Sequence, residues 1–290
     1  MKPAPFAYER AISAEEAVAM LERYQGNARL LAGGQSLVPL LNMRLMQPEA
    51  VIDINRIPGL DGVREDNGWV RIGALARYSA IEWSPVVGSR LPLLSEIVRY
   101  IGDRHVRTRG TIGGSLAHAD PTGEIALAAL ALDATIVVRG PSGTREVAAR
   151  EFFLGPYFTV LEPAEMVVEV RFPHHQMVTA FAEHARRHGD FCVISVAALG
   201  EPAGDGGWKT VRLAVGGASH RPFVAEAASA VLSNTALDPD AIEAAGAACV
   251  DAADPTDDIR ASADYRAHLL PIYVRRVLGE MKTRRRQGAT

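Results

Sequence analysis

Cysteine is nearly absent from this chain: Cys192 and Cys249 are the two present among 290 residues. That excludes a disulfide scaffold, a four-cysteine zinc site and any iron–sulfur cluster held by four thiolates of this chain. An excess of charge is missing too. The 31 basic and 34 acidic residues leave a net charge of -3, which is no electrostatic footprint for nucleic acid or an anionic membrane. No run is long enough to cross a bilayer, and the most apolar stretch, around Ile125 to Ala134, has the length of a buried helix. The start, Met1-Lys2-Pro3-Ala4-Pro5, lacks the apolar core of a secretory signal, so a cytoplasmic location is expected. The histidines, including His174-His175, show no metal-ligand spacing with a carboxylate or cysteine. No metal site and no catalytic side chain is therefore assigned.

What is present is ordinary globular material, 48% hydrophobic and 22% charged, with length enough for two domains. One stretch organises it: Leu30-Leu31-Ala32-Gly33-Gly34-Gln35-Ser36-Leu37. It reads as a buried strand running into a loop without side chains, with a helix N-terminus behind it. Such a loop offers several backbone N–H groups at once to a phosphate. A partner follows in Gly110-Thr111-Ile112-Gly113-Gly114-Ser115-Leu116, read as a glycine-rich turn. One nest suits a single phosphate; two can clamp a pyrophosphate. Neither stretch fits G-x-G-x-x-G or G-x-x-x-x-G-K-[ST], which disfavours a Rossmann fold and a P-loop NTPase.

Along the chain, Ser13-Ala14-Glu15-Glu16 is a capping box before an amphipathic helix. Residues 29–32 and 51–54 read as strands, and 37–46 as a helix, giving a small parallel sheet within residues 1–57. In residues 58–175, strands are expected over 69–74 and 166–172, helices over 93–101 and 124–132, and a hairpin around Gly140-Pro141-Ser142-Gly143. From 176 to 290 the pattern is three antiparallel strands (179–186, 191–199 and 208–215), then helices over 222–232, 239–252 and 263–281 with Pro271 as a kink. The whole is α+β. The basic Lys282-Thr283-Arg284-Arg285-Arg286 reads as a solvated helix end complementing the dipole.

Ala32-Gly33-Gly34-Gln35-Ser36-Leu37 with Pro39 and Met43-Arg44, Thr111-Ile112-Gly113-Gly114-Ser115, His118-Ala119-Asp120-Pro121 and Glu124 together resemble the FAD-binding medium subunit of bacterial molybdenum hydroxylases. That family includes aerobic carbon monoxide dehydrogenase, and xanthine dehydrogenase carries the same module. The likeness continues through Ala185-Arg186-Arg187-His188-Gly189-Asp190-Phe191 and Asp257 to Arg266, so it spans nearly the whole chain.

The resemblance implies a PCMH/VAO-type FAD-binding fold of two subdomains, followed by a C-terminal α+β domain. FAD would lie between the subdomains, with its pyrophosphate on the backbone amides of 32–36 and 111–115. The position of Glu124 would contact the adenosine end, Ile101 and Val167 would be apolar contacts, and Asp190-Phe191 would lie beside the isoalloxazine. Taken by themselves, Glu124 also serves as a helix-dipole carboxylate, Asp120-Pro121 as a plain turn and His118 as a polar loop residue. Implied partners are a large molybdopterin-binding subunit and a small [2Fe-2S] subunit, as a dimer of heterotrimers. Two departures stand out. Gln35 replaces the histidine of the carbon monoxide enzyme, and Ala182-Glu183-His184 stands where some relatives carry a lysine near the flavin. A free-standing FAD oxidase of the same fold is the alternative reading, and a non-catalytic nucleotide-binding protein a third.

Overall fold

The computed structural model describes residues 2–204 and 206–288. Its first layer is a parallel sheet in which Ala50–Asp53 lies between Ala7–Arg10 and Ala28–Leu31. Ser13 caps the helix Ala14–Arg23 by accepting from the Glu16 N–H at 3.1 Å. Glu16 reaches back one residue further than in a standard capping box, to the Ile12 N–H at 2.7 Å. Ala17, Val18 and Leu21 pack that helix onto the sheet. The central strand is buried throughout, whereas Ala28–Leu31 is an edge on which Leu30 and Leu31 are half-buried. The expectation of a buried strand ahead of the glycines is thus corrected: the strand opens toward a crevice. The helix after it is also shorter than expected, Leu37–Asn42, because Arg44 takes a left-handed φ of 58° and Leu45 folds back onto the Leu40 carbonyl.

The second layer is a five-stranded antiparallel sheet ordered Val63–Asp66, Trp69–Gly73, Met166–Pro173, Thr135–Gly140 and Gly143–Ala148. The expected hairpin closes between Gly140 and Gly143. Helices Pro92–Val98, Ile112–His118 and Glu124–Ala131 contribute to its core, and all eight residues of the last are buried. The turn expected at 110–115 is instead a helix junction. A short helix, Arg104–Arg109, ends at Gly110; Thr111 caps the next helix, and Gly113 and Gly114 fall in its first turn.

The C-terminal part carries the three expected strands as Val178–His184, Ile194–Pro202 and Trp208–Gly216, plus a two-residue fourth, Phe223–Val224. This last strand pairs with Ala214 and Val215 and delays the following helix to Glu226–Leu232. Asp205, between the second and third of these strands, lies outside the described residues. Asp238 caps Pro239–Ala252, where a side chain at Gly246 would come within 3.0 Å of the Pro271 Cβ. The last helix, Ala263–Gly288, continues through Pro271.

The basic end of that helix corrects the expectation of a solvated terminus. Arg284 forks onto the Glu96 carboxylate at 2.6 and 2.7 Å and donates to the Thr179 carbonyl at 3.0 Å. Arg285 lies over the Trp208 ring and donates to the Ala203 and Gly207 carbonyls, each at 2.6 Å, while Lys282 reaches the Leu237 carbonyl at 2.9 Å. Long basic side chains can run along an apolar surface and still end on buried acceptors. Arg284→Ala leaves Glu96 and Thr179 without that partner and is expected to cost about 1–3 kcal/mol. Thermal unfolding should fall by several degrees relative to wild type, with the exposed Arg286→Ala unchanged; equal melting of all three proteins would show the clamp to be idle.

Candidate functional site

Two glycine segments distant in sequence meet backbone to backbone. A Cβ on Gly33 would lie 2.2 Å from the Arg109 carbonyl oxygen and 2.9 Å from the Gly110 Cα. No side chain fits there, so glycine at 33 is what allows the strand end to cross the junction at 109–110. Gly34 has a left-handed φ of 73°. On the other segment, a Cβ on Gly113 would come within 2.5 Å of the Ala74 Cβ, and one on Gly114 within 2.7 Å of the Thr111 Oγ1. Gly113 lets the helix start pack closely on Ala74, and Gly114 leaves room for the Thr111 cap.

Two side chains that no motif singled out fasten this crossing. Asn55 donates to the Leu31 and Ala32 carbonyls at 3.1 and 2.9 Å and accepts from Arg77 at 2.6 Å. Arg77 donates in turn to the Arg109 carbonyl. Asp53 accepts from the Asn55 N–H at 2.9 Å and from the Tyr8 hydroxyl at 2.5 Å, so the network is anchored in the first sheet. The only sequence signal was the Asp53-Ile54-Asn55 spacing of an Asx turn.

The segments offer different chemistry. Among the described residues, the N–H groups of Gly33, Gly34, Gln35 and Ser36 have no protein acceptor. The N–H groups of Ile112 and Gly113 are bound to the Ala76 and Ala74 carbonyls, and those of Gly114 and Ser115 to Thr111. The expectation of two nests of free amides is therefore corrected to one nest, at 33–36. The second segment presents a wall beside it, with Thr111 capping the helix.

Further along, the helix Ile112–His118 ends at Ala119, whose φ is 51°, and Ala119 accepts from the N–H of Tyr157, whose φ is 57°. Two non-glycine residues in the left-handed region, tied to each other, mark a strained turn. It brings the Tyr157 hydroxyl to 3.2 Å from Asp120 Oδ2 and its ring to 5.1 Å from that of His118. Asp120 Oδ1 accepts from the Thr122 N–H and hydroxyl at 2.9 and 2.7 Å. Burial lowers the pKa of His118, against the pull of Asp120. Tyr157 lay outside every sequence expectation.

Glu124 opens its helix nearly buried, at 6% exposure. Burial, and then the charge of Asp120, push its carboxyl up to about 7 against the opposing hydrogen bond of its own N–H. Glu183 is pushed up to about 8, first by burial and then by Glu124. Cys192 is fully buried beside these carboxyls, its sulfur 3.5 Å from the Thr122 carbonyl. The preceding Phe191 is 51% exposed with the Arg260 guanidinium 5.0 Å from its ring centre, and Asp190 is ion-paired to Arg187 at 2.9 Å. Gly189 packs onto Gly102, which sets this loop beside Ile101. Val167 is core. Its strand meets the site through Val168, whose carbonyl accepts from Ala74 at 3.0 Å.

The helix Ile112–His118 thus leads from the crossing beside the free amides at 33–36 to the turn where His118, Asp120 and Tyr157 meet. A cradle closed to any Cβ, with free donors at one end and at Asp120 a carboxylate that accepts from hydroxyls further along, fits an extended dinucleotide. Gly33→Ala should destabilise the chain by about 1–3 kcal/mol through overpacking. Gly88→Ala, in a helix with nothing within 4 Å of the new methyl, should be neutral or stabilising. Equal denaturant midpoints for the two variants would contradict the crossing.

Residues 4–175 match the family described as the FAD binding domain in molybdopterin dehydrogenase, and residues 179–281 match the CO dehydrogenase flavoprotein C-terminal domain. The chain is 38% identical over 280 residues to the carbon monoxide dehydrogenase medium chain of Hydrogenophaga pseudoflava, covering 96% of this chain and 97% of that one. It is 37% identical over 288 residues to the 6-hydroxypseudooxynicotine dehydrogenase complex subunit alpha of Paenarthrobacter nicotinovorans, covering 99% and 97%. Among solved structures, carbon monoxide dehydrogenase from Hydrogenophaga pseudoflava, in a form lacking the Mo-pyranopterin moiety, aligns with a TM-score of 0.93 at 40% identity over 96% of this chain and 98% of that one. Quinoline 2-oxidoreductase from Pseudomonas putida 86 aligns at 0.94 and 32% identity over 98% and 99%. Free amides at a glycine crossing, a face fit for a dinucleotide and full-length likeness to these flavoproteins lead to one assignment: the chain belongs to the family of FAD-binding medium subunits of molybdenum hydroxylases.

Proposed function

We propose that this chain relays electrons within a molybdenum-dependent hydroxylase or dehydrogenase complex. They come from [2Fe-2S] clusters of a small partner subunit and leave through FAD to an external acceptor. Substrate is oxidised on a large molybdopterin-binding subunit. The single observation that carries this division of labour is the cysteine inventory. Cys192 and Cys249 are both buried, with thiols pushed up by burial, that of Cys249 to about 12. Neither is an available thiolate ligand, so the cluster donors belong to other chains.

FAD supplies the redox chemistry; this chain binds and orients it. The N–H groups of Gly33, Gly34, Gln35 and Ser36 hold the pyrophosphate, flanked by Leu30, Leu31, Ala32 and Leu37. Gly110, Thr111, Ile112, Gly113, Gly114 and Ser115 close the cradle from the other segment. Asp120 and Glu124 take hydroxyls toward the adenosine end, with His118 beside them. Ile101 and Val167 shape the apolar wall, and Asp190 and Phe191 border the isoalloxazine. Residues 1–57 and 58–175 are the two FAD-binding subdomains, and 176–290 the C-terminal domain. The complex is a cytoplasmic dimer of heterotrimers. Among the described residues no helix is long and apolar enough to cross a membrane.

What supports the reading over a free-standing oxidase is that the face already described is accounted for by the dinucleotide. The relatives' names span carbon monoxide and 6-hydroxypseudooxynicotine, consistent with a substrate pocket outside this chain. Gln35 in place of histidine argues against carbon monoxide itself. The test is anaerobic titration of the FAD-loaded chain. Candidate substrates should leave the flavin spectrum unchanged when the chain is alone and bleach it only when both companion subunits are present. Bleaching of the isolated chain would favour the free-standing oxidase, and failure to take up FAD would remove the reading altogether.

A further inference from the structure

Arg77 is fixed at the crossing by its backbone as well as its side chain. Its backbone bridges Thr111, while the next N–H, that of Tyr78, donates to the Gly110 carbonyl at 3.1 Å. One end of its guanidinium donates to the Arg109 carbonyl, the same oxygen that a Cβ on Gly33 would meet at 2.2 Å. The other end donates at 2.6 Å to Asn55, which in turn holds the Ala32 carbonyl at 2.9 Å. The guanidinium is thus one hydrogen bond from the carbonyl that Gly33 crosses and two from the residue before Gly33. It stands at the head of the free amides 33–36.

Charge is the part of Arg77 that this clasp does not need. Both acceptors are neutral oxygens, which the two N–H groups of an uncharged amide could satisfy without burying a cation. Among the described residues Arg77 makes no ion pair, and the rest of its N–H groups have no protein acceptor. Asp53, the carboxylate of the same network, is committed to the Tyr8 hydroxyl, the Asn55 N–H and, at 3.6 Å, Arg10. Arg107, on the helix that ends at this junction, is by contrast neutralised by Glu82 at 2.9 Å. Burial and then the charge of Arg109 lower the pKa of Arg77, as expected of a half-buried cation without a counter-ion.

We propose that Arg77 is the cation that binds the pyrophosphate of the cofactor: the amides of 33–36 supply hydrogen bonds, and Arg77 supplies the charge. The inference rests on the proposed function, in which those amides hold the pyrophosphate of FAD. A nest of backbone N–H groups carries partial charges only, whereas a pyrophosphate brings full negative ones. The guanidinium N–H groups that the clasp leaves unused suit phosphate oxygens. Because the same side chain ties Asn55 to the Arg109 carbonyl, an anion bound to it secures both segments of the cradle at once.

The experiment separates charge from clasp. The FAD-free full chain is titrated with FAD by flavin fluorescence at several salt concentrations, for wild type, Arg77→Lys and Arg77→Gln. Melting of each is measured without FAD. Lysine keeps the charge and loses the fork, whereas glutamine keeps donors and loses the charge. Wild-type affinity should fall as salt rises. Arg77→Gln is expected to bind FAD on the order of tenfold more weakly at low salt, with the gap closing as salt screens the charge. Arg77→Lys should keep the wild-type salt dependence even where its melting falls as far as that of the glutamine variant. A glutamine variant with wild-type affinity, or one weakened equally at every salt concentration, overturns the proposal and leaves Arg77 a clasp alone. Should Arg77→Gln bind no FAD, the lysine variant decides: wild-type salt dependence upholds the charge, and loss of that dependence or of binding overturns it. A wild-type chain that binds no FAD removes the proposed function first, a different failure from any of these.

Discussion

Everything that makes a site in this chain depends on one close approach, the passage of Gly33 against the carbonyl of Arg109 and the Cα of Gly110. It joins the edge of the parallel sheet to the helices that cover the antiparallel one. Asn55 and Arg77 hold it with side-chain donors on the Leu31, Ala32 and Arg109 carbonyls. The neighbouring N–H groups at 33–36 have no protein acceptor and remain available to an anion. The contact thus does two jobs: it docks the strand end on the helix junction and leaves donors free beside it.

The same division appears in charge. Most paired carboxylates are matched by arginines, as Glu96 and Glu280 are by Arg284 and Glu82 is by Arg107. Glu124 and Glu183 have no such match, and burial raises the pKa values of both. Burying an unmatched carboxyl costs stability, a cost offset at Glu124 by the wholly buried apolar helix Glu124–Ala131 that it opens. Strain follows the same pattern, with the left-handed Ala119 and Tyr157 tied together at the rim.

The elements most legible in the sequence were those whose signals are local. The parallel sheet, the hairpin at 140–143 and the buried helix at 124 follow from periodicity, turn residues and composition. The glycine motifs marked the two segments that meet, but not that only one of them leaves its amides free. Gly113 and Gly114 looked like a loop because glycine is a poor helix former, and the Thr111 cap together with close packing on Ala74 overrides that preference. Asn55, Arg77 and Tyr157 were invisible because their roles come from contacts across 22 to 37 positions of sequence. The basic C-terminal run misled for a related reason. Charge alone suggests solvent, whereas the acceptors of Arg284 and Arg285 lie as far as 188 residues away.

In the proposed relay, this chain never meets the substrate, so its sequence answers to the cofactor and to the electron traffic on either side. That explains why proteins named for carbon monoxide, 6-hydroxypseudooxynicotine and quinoline share its fold over nearly its full length. Differences among such chains then bear on how firmly the flavin is held and on what compensates its charge when reduced.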